Sequence, residues 1–502
     1  MKLPPRSNFV LLGLPLTPVV MVGLAVFQLL LGIGSPSVGT LFGIGLMFVI
    51  IWLARPEFLP ALMLNQVDPA NLTILGMAGS STATNTVTYA LGFAVVVRVT
   101  WEFIKRPETF ASYRILLLLW YTAMVPAVVM ALMGRAELNA SWSLPVRTVW
   151  ISGGFFYGLI LAQNWPQRER VINRILLPVG GAMLALMYLG VLQHKLGYLF
   201  IPAGVALIWL NWGRLHWLGR GLAVAALFML MMISVGLGVF DQQDIAGTDG
   251  TLGVGGTTFT QNAVLLGGIM LTAAVRYTRG RIRRALLFYL GAPIAITVIV
   301  ASFVVASVGP KLRVFGTTGD EVLTVEERAR VKLFNDRSMI WNATLRDALR
   351  GPYLIKPSGR PIWIDYEDGE KKWPFGAHNG VLNTLLDLRW YSGVIILLLY
   401  VAATAGGSRA LWFESNPTLG PTARALAVMV IATAVVGVFV NDYPLREDAG
   451  FWFFAPAGML SVLARKSRNV KTARLPAEAS PASHALASGP SAPQRLCFRC
   501  VS

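Results

Sequence analysis

Long runs of apolar residues, separated by short polar connections, make up most of the chain. Runs such as Phe9–Leu31, Ile115–Met133 and Gly221–Phe240 are continuous. At about 1.5 Å per residue, each is long enough to cross ~30 Å of hydrocarbon as a helix. Continuous runs favour helices over a β-barrel, whose strands alternate between apolar and polar residues. The pattern therefore predicts an all-α, polytopic membrane protein with about 12–14 transmembrane helices. Predicted spans include Arg147–Gln163, Ile175–Leu192, Leu222–Phe240 and Tyr391–Ala405.

One polar stretch, Val308–Gly380, interrupts this pattern. It contains twelve Lys/Arg and ten Asp/Glu residues and ends in His378-Asn379. The Pro/Ala/Ser-rich end of the chain lacks the apolar content to fold. We therefore expect four regions: an N-terminal transmembrane bundle (1–307), a large loop with amphipathic helices (308–380), C-terminal transmembrane helices (381–465) and a disordered tail (466–502).

Composition agrees with a membrane protein, since 55% of the residues are hydrophobic and 14% are charged. The net charge of +18 raises the question of nucleic-acid binding. The basic residues, however, are concentrated in short connections: Lys105-Arg106, Arg168–Arg174, Arg276–Arg284 and Arg465–Arg474. This is the positive-inside pattern. It explains the charge without nucleic acid, places both termini in the cytoplasm and places the large loop outside.

Residues suited to chemistry are few. Cys497 and Cys500 lie in the tail without a second ligand pair, which is weak evidence for a metal or redox site. His484 is also in the tail, His216 lies in a basic turn, and His194 is next to Lys195 in a short outer turn. An isolated histidine is usually structural, but His378 is the one best placed for chemistry at the outer face.

Within the loop, Asp336–Arg350 has helical periodicity. Trp341, Leu345, Ala348 and Leu349 share one face, and Gly351-Pro352 ends the pattern. The apolar face is expected to pack on the transmembrane bundle, while a phosphate contact by Arg337 on the other face stays open. Gly359–Trp373 is dense in aromatic and charged residues and predicts a strand pair or an irregular flap.

The order Arg337-x-x-x-Trp341, Gly-Pro break, polar loop, His378-Asn379-x-x-Leu382 and Gly393 resembles the O-antigen ligase and polymerase superfamily. Its members are bacterial inner-membrane glycosyltransferases of the GT-C type. The resemblance implies a large periplasmic loop and transfer of a glycan from an undecaprenyl-diphosphate carrier to an acceptor hydroxyl, without a cofactor or metal. It also implies that His378 is the general base and that Arg337 binds the diphosphate, with Asn379 and Trp341 contacting substrate.

These residue types suit that reaction. Neutral imidazole, with a pKa near ~6.5, can take a proton from an attacking hydroxyl at neutral pH. A guanidinium stabilises the leaving diphosphate through bidentate hydrogen bonds. The sequence departs from the family at Thr260-Gln261-Asn262, where members commonly have a Ser-Arg pair. A second phosphate-binding arginine therefore either comes from elsewhere, with Arg147 as the candidate, or is absent.

Two other functions stay open. A transporter or flippase for lipid-linked saccharides would carry ionisable residues within the membrane; the candidates are Arg98, Glu102, Asp387 and Arg389. A non-catalytic envelope scaffold is the other. The expected partners are the carrier-linked donor, a glycan, lipid or protein acceptor, and membrane lipids. The sequence does not distinguish a ligase from a polymerase.

Overall fold

The computed structural model describes 17–66, 81–136, 144–163, 268–274, 276–308, 379–412, 421–437 and 447–474, together with shorter pieces at 10–11, 14–15, 165, 206, 209, 217, 221, 341–342, 344–346, 348–349, 362–366, 369–373 and 445. Helices dominate these residues, and two short hairpins accompany them. The predicted spans Ile175–Leu192 and Leu222–Phe240 lie outside the described residues, as do Arg337 and His378.

The first helix begins later than the apolar run predicts. Strands β1 (Val10–Leu11) and β2 (Leu14–Pro15) form a hairpin, and α1 then covers Pro18–Gly34. The Thr17 side chain accepts a hydrogen bond from the Val20 amide, and Pro18 occupies the first helical position. A capping hydroxyl followed by proline is a strong helix start, which explains the boundary.

The next helices are α2 (Pro36–Leu53), α3 (Leu59–Asn65), α4 (Ser81–Lys105), α5 (Arg114–Ala136), α6 (Leu144–Ser152) and α7 (Gly154–Leu161). The predicted span Arg147–Gln163 is thus divided. The Val149 carbonyl, which a continuous helix would give to the Gly153 amide, instead accepts from Trp120 Nε1 and Ser152 Oγ, both at 2.7 Å. The Gly153 amide donates instead to the Trp150 carbonyl at 3.1 Å, and the helix breaks at this point.

The later elements are α8 (Gly280–Tyr289), α9 (Ala292–Val308), strands β3 (Ile362–Tyr366) and β4 (Gly369–Trp373), and helices α10 (Gly380–Trp412), α11 (Pro421–Ala432) and α12 (Glu447–Arg474). β3 and β4 pair antiparallel, with Ile362 opposite Trp373, so the polar stretch does contain a strand pair. α12 continues past the predicted boundary at residue 465, because the residues that follow include helix-favouring Lys, Arg and Ala and contain no proline until Pro476.

The centre of the bundle is the parallel packing of α7 on α12, in which Gly154 faces Phe451 and Gly158 faces Ala455. A Cβ built on Gly158 would collide with the Ala455 carbonyl oxygen and lie 2.7 Å from Met459 N. A Cβ on Gly458 would collide with the Phe155 carbonyl. The two glycines let the backbones approach closely, as small residues do where helices pack in membranes. Around this contact the bulky side chains of Phe155, Phe156, Phe451 and Phe453 are fully buried.

Several of these helices suit a multi-pass membrane protein. Four stretches in the described residues are long and apolar enough to cross a membrane: Pro36–Leu53, Val87–Lys105, Pro107–Val129 and Gly380–Leu411. A fifth results if α8 and α9, which are bent by 49°, form one span. The larger span number, the GT-C-like arrangement and the side on which the loop lies stay predictions.

The bundle has two chemically different ends. Arg465 of α12 lies over Tyr113, and Gln163 binds Thr109, so the predicted cytoplasmic connections meet at one end. We call this the basic end. α9 and α10 run antiparallel from it to the opposite end, which we call the loop end, where α10 begins immediately after the polar stretch.

Candidate functional site at the loop end

Asn379 fixes the start of α10. Its Oδ1 accepts hydrogen bonds from the amides of Val381 (3.0 Å) and Leu382 (3.1 Å), so it caps the helix. Its Nδ2 donates to Ser302 Oγ on α9 at 3.0 Å. The side chain is fully buried. All of these contacts are with the protein, so the geometry gives Asn379 a positioning role at the residue that follows His378, and its predicted contact with substrate stays a prediction.

A buried polar stripe follows along α10. Asn379, Asn383 and Asp387 are spaced by four residues, which places them on one face of a helix. Their exposed fractions are 0%, 0% and 6%. Buried polar side chains are retained where they have partners or a function, and none of Asn383, Asp387 or Arg389 is without an interaction partner. Sequence reasoning missed this stripe, although the spacing of four within an apolar run was its signal.

Arg389 breaks α10 into two parts. Its backbone has φ 57° and ψ −174°, a combination that residues other than glycine adopt only at a cost. Its side chain is only 2% exposed. A Cβ on Gly393 would lie 3.1 Å from Leu385 Cδ2 and 3.3 Å from the Thr384 carbonyl. Positions nine apart are far from each other in a straight helix, so the first part folds back on the second. Gly393, part of the resemblance, is where they meet.

The fold-back leaves the second part of α10 as the straight span. It corresponds to the predicted span Tyr391–Ala405, and its Ser392 Oγ donates to the Ala123 carbonyl of α5 at 3.0 Å. The first part is then a short helix at the loop end, with Asn379 at its start and Arg389 at its break. Irregular backbone of this kind is tolerated at membrane depth where protein surrounds it or a cavity adjoins it.

The loop helix docks on the same face of α9. Asn342 Nδ2 donates to the Ala306 carbonyl at 2.8 Å, one turn from the Ser302 hydroxyl that binds Asn379. Trp341, Leu345 and Ala348 are buried, whereas Arg346 is exposed. The predicted amphipathic helix is therefore confirmed for these residues. Leu349 differs, because 48% of it is exposed. The structure thus brings Asn342, the residue after Trp341, and Asn379 to successive turns of α9, and substrate contact by Trp341 stays a prediction.

Arg147 lies in α6, close to where that helix begins at the loop end. Its guanidinium carbon is 5.9 Å from the centre of the Tyr89 ring of α4, which is the outer limit of a cation–π contact. α6 also contacts α10. The residue is therefore at the loop end of the bundle and partly exposed, and its guanidinium contacts Tyr89.

Two of the four ionisable candidates for a transport path have a structural role. Arg98 Nη1 pairs with Glu102 Oε2 at 2.8 Å, and Arg98 Nε donates to the Trp52 carbonyl at 3.0 Å. The carboxylate is almost fully buried. This pair fastens α4 to the end of α2, near the basic end. Asp387 and Arg389 are the two that belong to the loop-end site.

The loop-end site is thus a polar, protein-enclosed segment attached directly to the predicted base. Its described side chains provide amide groups, hydroxyls, one carboxylate and one guanidinium. In the described residues no three His, Cys, Asp or Glu side chains are grouped as in a metal site. No family model, curated protein or solved structure matches this chain.

Proposed function

We propose that the chain is a glycosyltransferase of the membrane, with its site at the loop end of the bundle. One observation carries the proposal. His378, the base expected from the sequence, is bonded directly to Asn379, which is fully buried and held to both α9 and α10. A residue next to such an anchor starts from a defined backbone position, which acid–base catalysis requires. The proposed donor is an undecaprenyl-diphosphate-linked glycan, used at the periplasmic face of a bacterial inner membrane.

The reaction then proceeds by direct displacement. The imidazole of His378 takes the proton of the acceptor hydroxyl as that oxygen bonds to the anomeric carbon of the donor sugar. The bond from that carbon to the diphosphate oxygen breaks, and the diphosphate carrier leaves with the electron pair. Arg337 stabilises the developing negative charge, for which a guanidinium is well shaped.

A second cation for the diphosphate has two candidates. Arg147 is at the loop end and partly exposed. Arg389 is buried within the polar segment, and its backbone is in a conformation that costs of order 1–3 kcal/mol in folded proteins. Such conformations cluster at functional sites, so we add Arg389 to the residues whose side chains the transfer reaction requires.

The test is a matched pair of histidine variants in a strain that depends on this protein for surface glycan. His378→Ala should abolish glycan assembly, while the protein reaches the membrane at the wild-type level. His194→Ala, the control, removes another histidine of a predicted outer turn and should leave assembly unchanged. Wild-type assembly in the His378 variant would refute the base assignment.

A transporter of lipid-linked saccharides is the second candidate, because Asp387 and Arg389 are ionisable and buried in a broken helix. Purified protein reconstituted with a carrier-linked glycan separates the two functions. Formation of a new glycosidic product, detected by mass spectrometry, supports the transferase. Movement of the intact donor across the bilayer without covalent change would instead support the transporter. The product mass also distinguishes one transfer from repeated extension.

A further inference from the structure

A cavity of about 520 Å³ opens at the basic end of the bundle, far along α10 from the loop-end site. It lies where the bend between α8 and α9 meets the last turns of α10 and a turn of α12. Its walls are mostly apolar, including Leu287, Phe288 and Pro293, and its polar groups are Ser408, Arg409 and Arg465. Two arginines and no carboxylate thus line this cavity in the part of the chain that the structure describes.

The bend that forms the cavity is tightly packed. A Cβ on Gly291 would lie 2.8 Å from Ser408 Oγ, so the α8–α9 connection is pressed against α10. Arg465 is held from the other side, with its guanidinium carbon 4.7 Å from the centre of the Tyr113 ring. Arg409, in the last turn of its helix, is exposed. One arginine is therefore oriented by an aromatic ring, and the other is accessible from outside.

Helix α8 has the character of a helix at a membrane surface. Arg281 and Arg284 are exposed, and so are Ile282 (72%), Phe288 (65%) and Tyr289 (47%). The helix is inclined by 49° to the apolar α9. Exposed arginines beside exposed aromatic and aliphatic residues suit the boundary between lipid headgroups and acyl chains. A cavity beside a helix of this character is suited to headgroup phosphates.

We propose that this cavity binds the headgroup of an anionic phospholipid, with Arg409 and Arg465 holding the phosphate. Basic pockets between transmembrane helices at the positively charged side commonly accept such headgroups. Free inorganic phosphate offers the same oxygen atoms to the arginines, but it would leave the apolar wall around Phe288 and Pro293 in water. A phospholipid places its glycerol and upper acyl groups against that apolar wall while its phosphate binds the arginines, so it contacts both the apolar and the charged parts of the cavity.

Native mass spectrometry of the full-length protein tests this. The delipidated protein is mixed with equal amounts of phosphatidylglycerol and phosphatidylethanolamine. Wild-type protein should retain phosphatidylglycerol preferentially. At about 1 kcal/mol per arginine, the double variant Arg409→Gln with Arg465→Gln should bind it about thirtyfold more weakly. Arg114→Gln removes an exposed charge at the same end, outside the cavity, and should bind as the wild type does.

Misfolding of the double arginine variant would also reduce binding, so a second, uncharged variant provides an independent test. Ala292→Leu fills the cavity without changing charge and should also weaken binding. Equal binding by wild type and the double variant, or an equal loss in Arg114→Gln, would overturn the proposal. Displacement of the lipid by an equal concentration of inorganic phosphate would overturn the lipid assignment in favour of a phosphate site. Binding is read directly, so the outcome is independent of any transferase activity.

Discussion

The side chain of Asn379 donates from Nδ2 to Ser302 Oγ at 3.0 Å, with both residues fully buried. This single bond joins the start of α10 to α9 across the loop end. Since Asn379 also caps its own helix, one side chain determines both where α10 begins and where that start lies in the bundle. His378 is therefore attached to one of the best-fixed points of the described loop end.

Replacing Asn379 should destabilise the protein. Asn379→Ala removes the cap, worth about 1 kcal/mol, and leaves the Ser302 interaction unmade, worth roughly another 1 kcal/mol. Ser302→Ala should be destabilising as well, because it strands a buried amide donor. The double variant should lose less than the sum of the two, as measured by thermal unfolding in detergent. If Asn379→Ala kept the wild-type stability but lost glycan transfer, the role of Asn379 would instead be to contact the substrate.

The break at Arg389 allows side-chain and backbone effects to be separated. Arg389→Gly and Arg389→Ala both remove the guanidinium, but glycine accepts φ 57° without strain. The glycine variant should therefore be more stable than the alanine variant by about 1 kcal/mol. Glycan transfer should be impaired in both. Equal melting temperatures for the two would contradict a strained backbone at this position.

The α7–α12 contact should be the most sensitive to added volume. Gly458→Ala places a methyl group against the Phe155 carbonyl, so the helices must separate, at a cost of about 1–3 kcal/mol. Gly23→Ala is the matched control, since nothing lies within 4 Å of its added Cβ. Unfolding of the two purified variants should differ in midpoint, with Gly458→Ala lower. A wild-type midpoint for that variant would argue against the close approach.

Separating Arg98 from Glu102 tests the assigned structural role. Arg98→Ala leaves an almost fully buried carboxylate with only the 3.8 Å contact to the exposed Arg106 in place of its 2.8 Å partner; complete loss of a partner costs about 3–5 kcal/mol for a buried pair, so the cost here should be smaller. Glu102→Gln keeps a hydrogen-bonding group and should cost less. Adding it to Arg98→Ala should restore part of the lost stability, measured as folded protein recovered from membranes. If Arg98→Ala were stable but inactive in translocating lipid-linked glycan, a transport role would be favoured.

The pH dependence of transfer gives a further prediction. The base is active as neutral imidazole, so the rate should fall as the pH decreases below about 6.5, where the ring becomes protonated. Initial rates with purified protein and carrier-linked donor across this range measure the effect. A rate that is independent of pH through this range would contradict a histidine base.

Local sequence pattern was sufficient for much of the helical architecture. Apolar runs predict spans because a backbone in hydrocarbon must satisfy its own hydrogen bonds, and that requirement is local. The same local pattern predicted the buried face of the Trp341 helix except at Leu349 and the span beginning near Tyr391, and it gave the strand pair within Gly359–Trp373 as one of two alternatives. Each of these depends on residues close together in the chain.

What the pattern did not reveal depends on residues far apart. α6 ends where Trp120 Nε1 donates a hydrogen bond to the Val149 carbonyl. α10 folds back where Gly393 packs against Thr384 and Leu385. The partner of Asn379 is Ser302, a residue of another helix. Periodicity indicates which face of a helix is buried, but it does not indicate which other helices pack against that face. The breaks, the polar stripe at the loop end and the cavity at the basic end are therefore products of tertiary packing.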